Sequence, residues 1–248
     1  MKASFDATTL KKIISLLKGI VNVVNLHFES DALYIREIDP LHTSAYVVTI
    51  MPLTLVEWKE PVVFGFNVGE LYNRLRLSKS KETLEFAFDD SHMTLVVRCV
   101  KDSDLITWKA RFENNITPVV SIPEVKSSKV ASLKLSRSLL IVQMIWSSCY
   151  IGAEITLELD PANDSFLLKG DSSETELIAS VSTFEWLQIP DKIYQQKYLS
   201  RYIMQVLRKE IDKEIRIDLY ENGILVLHYE IEGKAKFLCR LSAITESS

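Results

Sequence analysis

Residues 65–97, GFNVGELYNRLRLSKSKETLEFAFDDSHMTLVV, and residues 193–229, IYQQKYLSRYIMQVLRKEIDKEIRIDLYENGILVLHY, spell one order of elements twice: helix, short gap, hairpin. In the first copy Val68, Leu71, Tyr72 and Leu75 recur at helical spacing, and Asn73, Arg74, Arg76 and Lys79 lie away from that stripe. In the second, a helix over 195–209 has Leu199, Tyr202, Ile203 and Val206 as its stripe, opposed by Lys197, Arg201, Gln205 and Arg208. The strands that follow alternate with period two: 83–89 and 93–100 in the first copy, 215–220 and 224–231 in the second. Asp-rich DDSH at 89–92 and ENG at 221–223 supply the turns.

The rest of the chain extends the repeat. Near the start, Leu10, Ile13, Ile14 and Leu17 form an apolar stripe, with Thr8, Lys11, Lys12, Ser15 and Lys18 opposite and Gly19 as the expected stop. A fourth helix is expected over 136–149, apolar nearly all round. Further strands are read at 43–50, 105–112 and 154–160. Strand, helix, several strands, helix, hairpin and strand therefore run twice. Between the copies ENNITPVVSIPEVKSS (113–128) is polar at both ends and holds Pro118 and Pro123, so it reads as an extended linker. The expected domains are 1–113 and 128–248, with 114–127 connecting them. The fold class is α+β: two similar domains of antiparallel sheet, each with two helices on one face.

Composition bounds the function. The chain has 248 residues, 47% hydrophobic and 25% charged, with a net charge of −4. A sequence pI near 5.7 argues against coating by nucleic acid over the whole surface, but leaves room for a local basic face. Cys99, Cys149 and Cys239 have no metal-ligand or disulfide pattern, which suggests a reducing compartment. No phosphate-loop, dinucleotide or nucleophile-elbow motif occurs. His27, His42, His92 and His228 each lie in or beside a strand and read as polar strand residues, not catalysts. LLIVQMIW at 139–146 is too short to span a bilayer. The expectation is a soluble intracellular protein that is not an enzyme, with no metal, no cofactor and no membrane partner.

One lysine-faced helix is ordinary surface chemistry. Three basic helices at corresponding places of a duplicated domain would, if all lie on the same side of the sheet, concentrate positive charge there and leave acidic residues to dominate elsewhere. Lysines on flexible stems meet phosphates as point charges without reading sequence.

The chain resembles the DNA sliding clamps of the proliferating cell nuclear antigen (PCNA) type found in archaea, eukaryotes and some of their viruses. The resemblance covers essentially the whole sequence. It rests on LKKIISLLK near the start, IDPLHTSAYVV at 38–48, FGFNVGELYNRLR at 64–76 and SIPE at 121–124. It implies a pseudo-six-fold ring of three subunits, helices lining the hole, and double-stranded DNA threaded through it. A clamp-loader ATPase would open the ring, and DNA polymerase and other replication and repair enzymes would be tethered by clamp-binding peptides. Carried over by position, Lys11, Lys12, Lys18, Arg76, Arg201 and Arg208 would face DNA. Ile38, His42, Val120, Ile122, Ile224, Arg240 and Leu241 would line the partner-peptide pocket. The strands 105–112, with Trp108, and 175–183 would form the subunit interface.

Two departures stand out. The helix 136–149 places Gln143 and Trp146 where the family shows basic residues, with only Arg137 nearby. Arg240-Leu241 replaces the family's usual Ala-Pro. Both also fit a specialised or checkpoint-type subunit of a heterotrimeric clamp. An enzyme with a pocket between the domains is a more distant alternative. The resemblance implies a nuclear location in a eukaryote, a cytoplasmic one in an archaeon, or the host cell for a virus.

Overall fold

The computed structural model describes residues 2–39, 43–56, 61–76, 82–89, 94–101, 104–111, 122, 124–142, 154–171, 176–207, 213–231 and 233–244. The first half of the chain runs β1 (Lys2–Asp6), α1 (Ala7–Leu17), β2 (Val23–Phe28), β3 (Leu33–Ile38), β4 (Ser44–Ile50), β5 (Thr54–Val56), β6 (Val62–Asn67), α2 (Val68–Leu75), β7 (Thr83–Asp89), β8 (Thr94–Lys101) and β9 (Asp104–Arg111). The second half opens with β10 (Lys129–Ser136) and a helix α3, of which residues 137–142 are described. It continues β11 (Glu154–Asp160), β12 (Ser165–Asp171), β13 (Glu176–Ser180), β14 (Phe184–Gln188), β15 (Tyr194–Leu199), α4 (Ser200–Leu207), β16 (Glu214–Tyr220), β17 (Leu225–Ile231) and β18 (Ala235–Leu241).

Element for element, the two halves are the same. Strand order runs β5-β1-β7-β8-β9 in one and β14-β10-β16-β17-β18 in the other. The remaining strands run β4-β3-β2-β6 and β13-β12-β11-β15. The architecture is α+β, mostly antiparallel sheet with few helices. Two compact units result: Met1–Pro40 with Tyr46–Ile122 and Glu230–Phe237, and Leu41–Ala45 with Pro123–Tyr229 and Leu238–Ser248.

Each helix follows directly on a strand, so the residue at the junction must both end the strand and cap the helix. Asp6 does so for α1: its carboxylate accepts from Thr9 N at 2.8 Å and from Thr9 Oγ1 at 2.7 Å. Asn67 does so for α2, accepting from Glu70 N at 3.0 Å. These side chains satisfy amide donors that a helix start leaves open.

The apolar stripes read from the sequence are the buried faces. Leu10, Ile13, Ile14 and Leu17 of α1 are fully buried, as are Val68, Leu71 and Leu75 of α2. Phe5, Phe28, Phe64 and Phe86 build an aromatic cluster in the first unit, with ring centroids 5.4–6.2 Å apart in edge and tilted contacts. In the second unit Leu133, Leu135, Ile215, Ile217, Leu157 and Phe166 fill the corresponding space with mostly aliphatic groups.

Two local expectations differ from the structure. The helix expected over 195–209 is a strand to Leu199 and helical only from Ser200. Tyr194, Tyr198 and Tyr202, all buried, are four residues apart, a spacing that keeps one face in a helix and in a strand alike. Pairing of β15 with β11, Leu157 opposite Gln196, decides for the strand. Gly19 does not stop α1 by a left-handed turn. Lys18 caps the helix in right-handed geometry, and Gly19 N, Ile20 N and Val21 N continue with bonds to Leu16 and Leu17 carbonyls.

Candidate nucleic-acid interface and peptide cleft

α1 and α2 pack on each other and carry four of the expected DNA-facing residues. Lys11 Nζ donates to Arg76 O at 3.3 Å, at the C-terminal end of α2. A cation there meets the open carbonyls of the helix end. Lys18 Nζ sits 4.8 Å from the centroid of the Tyr72 ring. Lys12 and Arg76 are exposed. Lys11 and Lys18 thus join the two helices, and Lys12 and Arg76 leave their charge in solvent.

The second unit repeats the capping with a different residue. Arg137, at the start of α3, donates from Nη1 to Leu207 O at 2.7 Å, at the end of α4. It holds the helix pair as Lys11 does in the first unit. Arg201 is exposed, stacked 4.8 Å over Tyr202, and donates to the Tyr202 hydroxyl at 3.2 Å. Arg208, Gln143 and Trp146 lie outside the described residues.

A cleft of about 330 Å³ opens in the second unit, lined by Thr43, Glu154, Leu199, Tyr202, Leu241 and Ile244 among others. The segment after β18 walls it. Ser242 N donates to Thr43 O, Ala243 N to Gly223 O and Ile244 N to Lys197 O, at 3.2, 3.0 and 2.8 Å. Gly223 has a φ of 76°, and a Cβ on it would lie 2.8 Å from the Ala243 Cβ, so the ENG turn both needs its glycine and seats the segment. Of the expected pocket residues, Leu241 lines this cleft. Arg240 precedes it on β18, and Ile224 sits at the turn before β17. Ile38 and Ile122 belong to the first unit, and His42 and Val120 lie outside the described residues. Leu199, Tyr202 and Ile244 were not expected in a pocket. Tyr202 belongs to a helical stripe that reads as core.

The strands expected at the subunit interface are edge strands among the described residues. β9 pairs with β8 alone, with Trp108 opposite Val97 in the register. β13 pairs with β12 alone, and its Ile178 is 54% exposed, an apolar side chain the sequence pattern did not single out.

Two buried carboxylates were also not anticipated. Asp218 is 1% exposed and accepts from Ser132 Oγ at 2.6 Å, His228 Nε2 at 3.0 Å, Arg216 Nη2 at 3.0 Å and Lys129 Nζ at 3.1 Å. Burial alone would push this carboxyl up, but the His228, Ser132 and Lys129 bonds outweigh it and hold it well below the usual carboxylate range. Ser132, Asp218 and His228 share the composition of a catalytic triad but not its order. The hydroxyl bonds to the carboxylate instead of the imidazole, so no imidazole is placed to take its proton. Glu37 is 5% exposed and accepts from Asn25 N at 2.7 Å. Burial pushes it up to about 7, with the amide bond opposing. Among the described residues no group of three or more His, Cys, Asp or Glu is placed to hold a metal, and no helix is long and apolar enough to cross a membrane.

The two halves thus share one β-α topology, and in each a cation joins the helix pair. The chain matches the structure of PCNA from Thermococcus kodakaraensis with a TM-score of 0.83 at 16% identity, over 98% of this chain and 99% of the other. It matches that of PCNA from Entamoeba histolytica with a TM-score of 0.86 at 15% identity, over 98% of each chain. No family model and no curated protein matches the sequence. The chain therefore has the fold of PCNA, carried by a sequence far from both.

Proposed function

We propose that this chain is a DNA sliding clamp. Three copies close head to tail, β9 of one against β13 of the next, around double-stranded DNA held without regard to sequence. Domains 1–113 and 128–248, joined by 114–127, contribute the two inner helix pairs. Lys12, Arg76, Arg201 and Arg208 face the phosphates, with Lys11 and Lys18 holding the first helix pair in place. A clamp-loader ATPase opens the ring. Polymerases and other replication and repair enzymes dock peptides at a pocket that includes Ile38, His42, Val120, Ile122, Ile224, Arg240 and Leu241. The role is tethering inside the cell, with no chemical step of its own. The observation that carries this reading is the repeat of one topology over the whole chain in a fold shared with two PCNA structures across nearly their full length.

The test is retention after loading. Protein loaded on closed circular DNA should stay bound through gel filtration in salt, and cutting the circle should release it. Equal retention on linear and circular DNA would sink the proposal. Reversing Lys12, Arg76 and Arg201 to Glu should lower loading at least about tenfold, since every cation that meets a phosphate adds to both the affinity and its salt dependence. Unchanged loading removes these residues from the channel. Negative-stain images of the chain alone separate self-closing rings from a subunit that needs different partners.

A further inference from the structure

We propose that Lys129, Arg216 and His228 form an oxyanion site on the solvent face of the second unit's sheet, and that its ligand is a phosphate group. Register builds the site. Ser132 stands opposite Asp218 across β10 and β16, and Arg216 stands opposite His228 across β16 and β17. All four point to one face, because side chains alternate along a strand. The other face carries Leu133, Ile217 and Leu227, all buried in the core. Lys129, an odd-numbered residue, would belong with the core face if the pairing ran on regularly. A bulge between Lys129 and Ala131 shifts the register and turns Lys129 onto the polar face. Its ammonium then reaches Asp218 Oδ2 at 3.1 Å.

Three donors therefore converge on a single oxygen, Asp218 Oδ2, and the carboxylate's other oxygen is taken by Ser132. Nε2 of His228 must donate, since it faces that oxygen at 3.0 Å. The 3.3 Å approach of Arg216 Nη2 to the same nitrogen is then donor against donor, held only by their shared acceptor. One buried negative charge anchors two permanent cations and an imidazole, which leaves a net positive charge at the surface. Of the neighbouring acids, Glu221 and Asp191 share a hollow with Lys129 and Lys192, and the two acids on the flanking strand positions are engaged elsewhere. Glu214 pairs with Lys134 at 2.7 Å, and Glu230 lies 4.0 Å from Lys236.

The donors that remain face outward. The side chains of Arg216, Lys129 and His228 are 44%, 32% and 26% exposed. Each uses one nitrogen on Asp218, leaving Nε and Nη1 of Arg216 and further N–H bonds of Lys129 as donors. A planar guanidinium fork beside an ammonium suits an anion with three acceptor oxygens and nearly two negative charges. Phosphate fits that count better than a carboxylate, which has two oxygens and one charge.

The experiment titrates the full chain with inorganic phosphate and, separately, with N-acetyl-phosphoserine amide. It reads heat and the ring resonances of His228. Both ligands should shift the His228 signals, and Arg216→Gln should weaken binding about tenfold or more, the usual loss for one charged hydrogen bond. Lys129→Gln, at the strand end, serves the same purpose if Arg216→Gln alters the melting curve. Tighter binding of phosphoserine assigns the site to a phosphorylated side chain of a partner, and binding of inorganic phosphate alone assigns it to the free ion. No shift with either ligand, or equal affinity in both variants, overturns the proposal. No DNA enters the test, so its outcome is independent of the clamp reading.

Discussion

The two halves of this chain are the same drawing in different inks. Asp6 opposite Thr83 and Ser136 opposite Glu214 align the two central strand pairs at their helix junctions. From there the core rows correspond: Phe5, Leu84, Ala3 and Phe86 in one half, Leu135, Ile215, Leu133 and Ile217 in the other. Every one of these side chains is buried. On the opposite face the correspondence breaks. Asp218 aligns with Ala87, Arg216 with Glu85, and Ser132 with Lys2, whose ammonium lies 2.6 Å from Glu85. What the halves preserve is the alternation of apolar with polar. Which polar group stands outside is free to diverge, because the sheet's topology does not depend on it.

The difference should be largest in the core. Phe86→Ala removes a fully buried ring from a cluster of aromatic neighbours, so it should cost about 3–5 kcal/mol. Ile217→Val, at the equivalent aliphatic position, should cost about 0.5–1.5 kcal/mol. Urea unfolding measures both. Equal losses would mean that the aromatic cluster is packed no more tightly than its counterpart.

Next comes a charge that one half buries and the other omits. Phe28 opposite Leu33 corresponds to Leu159 opposite Phe166, which puts Glu37 where the second half has Gly170. Glu37 is pushed up to about 7, so the folded protein holds its proton over a range where the unfolded chain has lost it. Stability should fall as pH rises from the ordinary glutamate range to about 7, by on the order of 3 kcal/mol in all. Glu37→Gln keeps the acceptor for Asn25 N and should remove that slope, making the variant the more stable protein at pH 8. A wild-type midpoint that is flat over this range would remove Glu37 as the titrating group.

Period-two and helical patterns made the repeat legible, because they report burial, and burial is what the halves share. Helix α1 and strands β4, β7, β11, β16 and β17 fall within about a residue or two of the expected spans. The failures have a common physical cause. Tyr194, Tyr198 and Tyr202 satisfy both periods, so only the partner strand could choose between them. The cleft residues Tyr202 and Ile244 belong to different elements, and meet through the backbone bonds of the last strand's extension. Asp218 reads as one polar residue in an alternating strand. Its partner Ser132 is 86 residues away, and a bulge aims Lys129 at it. Local patterns carry no information about either.

Asp218→Asn should cost about 2 kcal/mol at neutral pH, because a neutral amide oxygen replaces the anion that Lys129, Arg216 and His228 share. The wild-type carboxyl is held low, so its contribution is complete above the ordinary aspartate range and fades as pH falls through its lower folded value. The gap between the two proteins should therefore narrow in strong acid. A gap of the same size at low and neutral pH would mean that the loss comes from packing and not from charge.

The smallest effect compares the helix junctions themselves. Asp6 accepts from both Thr9 N and Thr9 Oγ1, and Lys234 Nζ approaches it at 3.1 Å. Burial pushes the Asp6 carboxyl up, but these bonds and the ammonium outweigh it and hold it below the usual range. Asp6→Ala opens a helix amide and should cost about 1 kcal/mol. Ser136 stands at the equivalent junction, but its hydroxyl lies 2.9 Å from Ser138 Oγ, another hydroxyl. Ser136→Ala should therefore cost less, about 0.5 kcal/mol or below. Asp6 is charged and Ser136 is not, so acid should reduce the first loss and leave the second unchanged. Equal costs at neutral pH would show that the second junction is capped as firmly as the first. The two halves would then differ only on the outer sheet face and in the core, and not where their strands turn into helices.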